Sequence, residues 1–174
     1  MYERLPAGRR HQLHHRLGAR LEHAYGEQVE EVATELARHW QQGGDAERAV
    51  RYHGLAAQKA NRRSAPHEAR VQVAQALVLL PTLPETRERT RLALRLHLTL
   101  LPALLALHGF ASREVAQTYA QAQALWRVLE ETTPLSPVQA GLWREFYWVG
   151  PWATPLQKGA SMIQGGGNDH GDIV

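Results

Sequence analysis

The sequence predicts an all-α protein: an α-solenoid of antiparallel helix hairpins with about seven helices. Apolar residues recur at the helical period over residues 1–149. Glycine, proline and capping residues separate these stretches at short intervals, which is typical of helices joined by tight turns. Alanine is frequent on the predicted contact faces, so neighbouring helix axes can approach closely.

The first predicted helix occupies most of residues 1–26. Pro6 suits its first turn, where a backbone N–H is not needed, and Gly26 ends it. Its apolar stripe consists of three leucines: Leu13, Leu17 and Leu21. Gly18 inside this helix costs about 1 kcal/mol relative to alanine. We therefore expect a neighbour to pack closely on Gly18, and the same reasoning applies to Gly54.

Residues 29–83 predict three short helices packed through small residues. The first helix carries an unbroken apolar stripe: Val29, Val32, Ala33, Leu36, Ala37 and Trp40. Gly43-Gly44 ends it, and Asp45 is placed to cap the second helix. The second helix has a face rich in alanine: Ala46, Ala49, Val50, Ala56, Ala57 and Ala60. The third follows Pro66 and stops at Pro81.

A long leucine-rich helix follows, and Thr82 to Glu85 has the T-x-x-E form of a capping box at its start. Pro102 removes a backbone donor, so we expect a kink near residues 98–102 or two helices that meet there. Gly109 ends this region.

Two more helices are predicted before the pattern stops. Ser112 caps the first, and Ser136-Pro137 begins the last, whose apolar residues include Leu142, Trp143, Phe146, Tyr147 and Val149. From Gly150 onward no periodicity remains. The sequence therefore predicts a helical-repeat domain over residues 1–149 and an irregular, flexible tail over residues 150–174.

Composition favours a soluble cytoplasmic protein. The chain has a formal net charge of +3 and no cysteine, so disulfides and thiolate metal sites are excluded. No secretory signal is visible, and the most apolar stretch, residues 92–107, contains Arg95, His97 and Pro102 and predicts a buried helix instead of a membrane span. Residues 27–47 are acidic and residues 51–70 are basic, so adjacent helices can form ion pairs at their edges.

Three groups of residues resemble catalytic or metal sites, and each has a simpler structural interpretation. His11, His14 and His15 lie close enough on a helix to suggest a metal site, but no further ligand follows, and we interpret them as solvated. Glu31 and Glu35 share a face away from the apolar stripe, which indicates a solvated surface. Ser64 at a helix start is typical of a cap. The sequence predicts no cofactor or metal site.

The spacing of small and aromatic residues is similar to tetratricopeptide repeats, which are helix hairpins about 34 residues long. In one register Ala49 begins a second helix, and Leu36, Ala37 and Trp40 occupy the first. A rival register places Ala69 and other residues of its helix on the second-helix positions. Ala49 and Ala69 are too close for both registers to be consecutive repeats, so both remain open.

A longer set of motifs points to a family: Tyr2-Glu3-Arg4-Leu5-Pro6, Arg9-Arg10, Leu13-His14, Leu21-Glu22, Tyr25-Gly26, Leu36-Ala37-Arg38-His39-Trp40, Gly44-Asp45-Ala46-Glu47-Arg48-Ala49-Val50-Arg51-Tyr52, Glu68-Ala69 and Ala76-Leu77. Their order resembles the helical arm that follows the nucleotide-binding and winged-helix modules of large bacterial signal-transduction ATPases of the STAND type. Many of those proteins also carry a nucleotide-cyclase or transcription-factor domain. The resemblance covers residues 2–148 and implies a superhelical arm that represses or releases the ATPase module.

The chain lacks the phosphate-binding G-x-x-x-x-G-K-[ST] motif and any cyclase or DNA-reading segment, so we expect a non-enzymatic fragment of a larger protein. Its predicted function is a scaffold that contacts a protein or peptide partner, or the missing ATPase module. The candidate partner-binding residues are Arg38, His39, His53 and Arg63. The alternative is a helical module that binds nucleic acid through its basic helices, which the flanking acidic segments disfavour.

Overall fold

The computed structural model describes residues 6–129, which are helical and contain no β-strand. Six α-helices occupy this range: α1 (Ala7–Tyr25), α2 (Ala33–Gln42), α3 (Ala46–Arg62), α4 (Pro66–Leu79), α5 (Arg87–His108) and α6 (Arg113–Leu129). Two 3₁₀ segments, Gly26–Val32 and Leu80–Thr82, precede α2 and follow α4. The all-α prediction is confirmed for this range. The predicted last helix and the tail over residues 150–174 lie outside the described residues.

Each helix packs on the next one along the chain, and α3 also packs on α5. Two contacts define how α3 and α5 lie together. Near their starts, Arg51 lies 3.8 Å from Glu88, and near the end of α3 the Asn61 side chain donates a hydrogen bond to the Thr99 carbonyl at 2.8 Å. These two contacts follow the same order in both helices, so α3 and α5 run in the same direction.

The central helix boundaries agree with the sequence at α3 and differ at α2. Asp45 accepts a hydrogen bond from the Arg48 N–H at 3.0 Å, which confirms it as the cap of α3. The predicted helix from Val29 was wrong in its start, because residues 26–32 form a 3₁₀ segment and α2 begins at Ala33. Gln28 interrupts the helical geometry with φ −92° and ψ 15°, although Val29 still packs on the core.

The capping box predicted at Thr82 was also wrong. Helix α5 begins four residues later, with the Thr86 side chain accepting a hydrogen bond from the Arg89 N–H at 3.2 Å. Thr82 instead donates to the Leu79 carbonyl at 2.7 Å and closes the preceding turn. The reason is Pro84: the residue before a proline avoids the α region, and Leu83 is extended with φ −80° and ψ 149°.

The core consists of small residues at helix crossings and larger ones between them. Ala49, Ala56 and Ala57 are all at most 2% exposed, which confirms their predicted burial on the contact face of α3. The largest core cluster joins α3, α4 and α5, and its buried members are Val50, Ala57, Ala60, Ala69, Val73, Ala76, Leu92, Leu96 and Ala103. Helices α3, α4 and α5 therefore share one buried apolar interface.

Helix α5 continues through Pro102 as one α-helix, so the alternative of two helices meeting there was wrong. Pro102 has no N–H to donate to the Leu98 carbonyl, and the Asn61 side chain donates a hydrogen bond to the next carbonyl, that of Thr99. Among the described helices, α5 alone has the length and composition to cross a bilayer. Much of it is buried against neighbouring helices, and the core helix of a soluble protein has the same composition.

Ion pairs join the acidic and basic segments as their charges predicted. Lys59 binds the Glu31 carboxylate at 2.8 Å, and Arg62 pairs with Glu30. Both pairs link α3 to the segment before α2. Because the Glu31 side chain is exposed, solvent screens its pair with Lys59, which helps to fix the edge of the interface more than it stabilises the fold.

Candidate partner-binding hollow between α3 and α5

The structure places the four predicted partner-binding residues in three different environments. Arg38 on α2 and Arg63 at the end of α3 are exposed, and their role stays a prediction. His39 is partly buried between α1 and α2. His53 is only 5% exposed, and its ring nitrogens face Gln72 at 2.8 Å and Gln41 at 3.4 Å. His53 therefore links α2, α3 and α4 in the interior, and the four residues do not form one surface.

The interpretation of the α1 histidines as solvated was wrong for His14. Its side chain is 7% exposed, and its Nδ1 lies 2.8 Å from the Nδ1 of His39. One nitrogen donates and the other accepts, so the two rings share a single proton along this contact. Burial lowers the pKa of both, and Arg38 lowers both further. Helical periodicity alone could not predict this pair, because His14 and His39 lie on different helices.

A hollow of about 320 Å³ lies between α3 and α5. Its floor is apolar and mostly buried, and its rim is polar and charged. The lining residues are Val50, Arg51, Gly54, Leu55, Gln58, Glu88, Leu92, Arg95, Leu96 and Thr99. We call this feature the α3–α5 hollow.

Gly54 keeps the α3–α5 hollow open. A Cβ at this position would meet Leu96 Cδ2 at 3.5 Å, which is ordinary van der Waals contact. The expectation that a neighbour requires glycine here was therefore wrong. Because no side chain projects from Gly54 in the middle of α3, the space beside Leu92 and Leu96 is unfilled.

Three arginines surround the Glu88 carboxylate, and two of them, Arg51 and Arg95, line the hollow. Glu88 lies 3.5 Å from Arg95, 3.8 Å from Arg51 and 3.8 Å from Arg91. Strong guanidinium–carboxylate hydrogen bonds are about 2.7–2.9 Å long, so all three contacts are loose. Arg51 also pairs closely with Glu47, at 2.8 Å. These side chains are about half exposed, so solvent and ligands can reach them.

Further hollows lie elsewhere among residues 6–129. One of about 240 Å³ lies beside α4, α5 and α6 and includes Arg70, Ala74 and Glu114. The other, of about 330 Å³, lies between α1 and the end of α2 and includes Arg10, His11 and His14. Within residues 6–129 no three histidine, aspartate or glutamate side chains are grouped as metal ligands.

The rim residues were missed by the sequence analysis, although a partial signal exists. Glu88, Arg91 and Arg95 recur at helical spacing on the polar side of α5, and Arg51 and Leu55 lie one turn apart on α3. Such spacing shows which side chains share a face of one helix. It does not show that the two faces lie next to each other, because this depends on the packing of α3 on α5.

The chain matches no protein-family model, no curated protein and no solved structure. The resemblance to the helical arm of signal-transduction ATPases therefore stays a prediction.

Proposed function

We propose that this chain is a non-catalytic helical-repeat scaffold that binds a protein or peptide partner, as part of a bacterial signalling ATPase or regulator. The observation that carries the proposal is the α3–α5 hollow, which combines an apolar floor with a charged, accessible rim. Protein-binding sites commonly have this organisation, in which apolar contacts supply affinity and polar groups at the edge supply specificity.

The direction of the helices supports the repeat interpretation. In an array of helix hairpins the first helices of successive hairpins run in the same direction and line one face. The contacts of Arg51 with Glu88 and of Asn61 with Thr99 give α3 and α5 this relation. Both registers give this relation, because α3 and α5 are either both first helices or both second helices, so both registers remain open.

The charge distribution favours a protein partner over nucleic acid. Several basic residues of α3 already face carboxylates: Arg48 faces Glu22, Arg51 faces Glu47, Lys59 faces Glu31 and Arg62 faces Glu30. Nucleic-acid binding depends on cations that are available to neutralise phosphates. Cations that are already paired within the protein contribute less to such binding.

Peptide selection tests the proposal. We would select peptides of about 16 residues, roughly the length of α3, from a random display library on the full chain. Affinity for the best peptide is measured by fluorescence anisotropy. We expect weaker binding by Arg51→Ala and Arg95→Ala, and unchanged binding by Arg113→Ala, an exposed arginine at the start of α6. Weaker binding by Arg38→Ala or Arg63→Ala instead would place the partner at those predicted residues.

Two results would contradict the proposed scaffold function. The first is that none of these variants weakens the binding of any selected peptide. The other is tight binding of random DNA that weakens steeply between two salt concentrations, which would support the nucleic-acid module instead.

A further inference from the structure

We propose that the outer face of α1 binds an acidic amphipathic helix of a partner protein, which runs antiparallel to α1. Four residues that recur every three or four positions form this face, and we call them the α1 basic stripe: Arg9, Leu13, Arg16 and Arg20. The inference goes beyond the proposed function, because it names a second surface, separate from the α3–α5 hollow, and the chemistry of its partner.

The positive charge of the protein is concentrated on α1. This helix contains four arginines and one glutamate, so it carries three excess positive charges, and the formal net charge of the whole chain is also +3. The glutamate, Glu22, accepts a hydrogen bond from the Tyr52 hydroxyl at 2.7 Å and lies 3.4 Å from Arg48. Glu22 is therefore engaged by α3, and the basic stripe has no carboxylate of its own helix to neutralise it.

The arginines of the α1 basic stripe are available to a partner. Arg9, Arg16 and Arg20 are exposed, and within residues 6–129 none of them pairs with a carboxylate. The packed side of α1 is the opposite one, where His14 and Gly18 are buried against α2. The stripe is thus an unpartnered, positively charged helix face.

The packing of α1 indicates how a partner helix would lie. Helix α1 packs mainly on α2 and on the 3₁₀ segment before α2. Gly18 faces Trp40, and His15, earlier in α1, faces Gly43, later in the chain, so α1 and α2 are antiparallel. A helix on the outer face that continues this alternation runs antiparallel to α1.

Leu13 favours an acidic helix over other anionic partners. Its side chain is 39% exposed and lies between Arg9 and Arg16, about one turn from each. An amphipathic helix can place an apolar side chain against Leu13 and carboxylates against the arginines, whose guanidinium groups bind carboxylates in a two-pronged geometry. Nucleic-acid phosphates gain nothing from an apolar centre, the stripe has no aromatic residue for base stacking, and one leucine is too small an apolar face to enter a membrane.

The experiment uses labelled, alanine-based helical peptides of about 17 residues, roughly the length that covers the stripe. In an antiparallel pair, peptide positions i, i+4 and i+11 face the three arginines, and a leucine at i+7 faces Leu13. The three positions hold glutamate, glutamine or lysine, and binding to the full chain is measured by fluorescence anisotropy. We expect the glutamate peptide to bind about tenfold more tightly than the glutamine peptide at low salt and the lysine peptide to bind least, with a smaller difference at high salt.

Variants of the protein locate the effect. Arg9→Glu, Arg16→Glu and Arg20→Glu combined should reverse the preference, so that the lysine peptide binds most tightly, and Arg16→Gln alone should lower the preference for glutamate severalfold. Leu13→Ser should weaken binding of the glutamate and glutamine peptides alike, because the apolar contact does not depend on charge. Arg113→Glu, at an exposed position on α6, is the control and should change nothing, and circular dichroism checks that every variant is folded.

The outcomes separate this inference from the proposed function. Equal binding of the glutamate and glutamine peptides, or binding of none of the peptides, would overturn the acidic helix as partner. Tight binding of random duplex DNA or of phosphatidylserine vesicles that the triple variant abolishes, without discrimination among the peptides, would overturn it in favour of a nucleic acid or a membrane. The scaffold proposal is tested through Arg51 and Arg95, so its failure is distinguishable from these results.

Discussion

The α1–α2 interface and the α3–α5 interface each have a glycine in the middle of a helix, and the two glycines have opposite effects. A Cβ on Gly18 would lie 2.9 Å from Trp40 Cε2 and close to two more ring atoms, so the indole ring occupies the space. A Cβ on Gly54 would meet Leu96 Cδ2 at 3.5 Å. The first glycine allows close packing, and the second helps to form the α3–α5 hollow.

The facing side chain explains the difference. Trp40 is fully buried, the His15 ring packs edge-on against it with centroids 4.9 Å apart, and Arg48 lies 4.2 Å above its ring. Gly43 also lies against the His15 backbone, so α1 and α2 approach closely at two points. A leucine faces Gly54 instead and leaves space. An interior glycine therefore acquires its role from the residue opposite.

The largest expected effect compares the residues that face the two glycines. Trp40→Ala should lower the free energy of unfolding by about 3–5 kcal/mol, because it leaves a large cavity in a fully buried site. Leu96→Ala should cost about 2 kcal/mol, since the site adjoins a hollow that water can enter. Urea denaturation measures both. An equal loss for the two variants would contradict the contrast between the interfaces.

A smaller effect comes from the glycines themselves. Gly18→Ala should destabilise the protein by about 1–2 kcal/mol, because the clash with Trp40 exceeds the gain in helix propensity. Gly54→Ala should stabilise it by up to about 1 kcal/mol, because the methyl group fits and alanine favours the helix. The same denaturation experiment measures both, and each variant serves as the control for the other. Stabilisation by Gly18→Ala would show that Trp40 moves freely.

The smallest effect is a pH dependence confined to the first interface. The pKa values of His14 and His39 lie below their ordinary value of 6.5 in the fold, so the unfolded chain binds protons more readily. The stability that the neutral His14 and His39 side chains contribute is therefore fully present above pH 6.5, and it is lost as the pH drops below that value. Thermal melting at about pH 7.5 and about pH 5 measures this loss.

His39→Gln is the test variant, and His67→Gln, at an exposed position on α4, is its control. We expect a smaller difference between the two pH values in His39→Gln and no change in His67→Gln. Burial also lowers the pKa of His53 and His97, so some pH dependence should remain. An undiminished difference in His39→Gln would contradict a role for the histidine pair.

Much of the fold follows from local patterns in the sequence, and the candidate site does not. The alanine face of α3, the Asp45 cap and the close approach at Gly18 could all be read from spacing and residue type, because each depends on one helix and its nearest neighbour. Predicting the start of α5 correctly required comparing two signals: the capping-box pattern at Thr82 and the preference of Leu83, which precedes Pro84, for an extended backbone.

The rim of the α3–α5 hollow could not be predicted in the same way. Arg51 and Glu88 are far apart in the chain, and their proximity depends on how α3 packs on α5. His14 and His39 pose the same difficulty, since nothing in the sequence of either helix indicates that the two rings are in contact. Predicting such pairs requires knowing where two helices cross. An alanine-rich face is compatible with many different crossings, so the sequence does not fix which one occurs.

The bond from Asn61 to the Thr99 carbonyl has a consequence for how the hollow responds to its surroundings. It joins two uncharged groups near the end of α3, whereas the contact of Arg51 with Glu88, near the starts of the two helices, joins two charged groups. Dissolved ions screen the charged end and leave the amide end intact. Raising the ionic strength therefore weakens the contact of Arg51 with Glu88 and leaves the Asn61 hydrogen bond unchanged, while the buried cluster of Val50, Leu92 and Leu96 keeps the two helices packed.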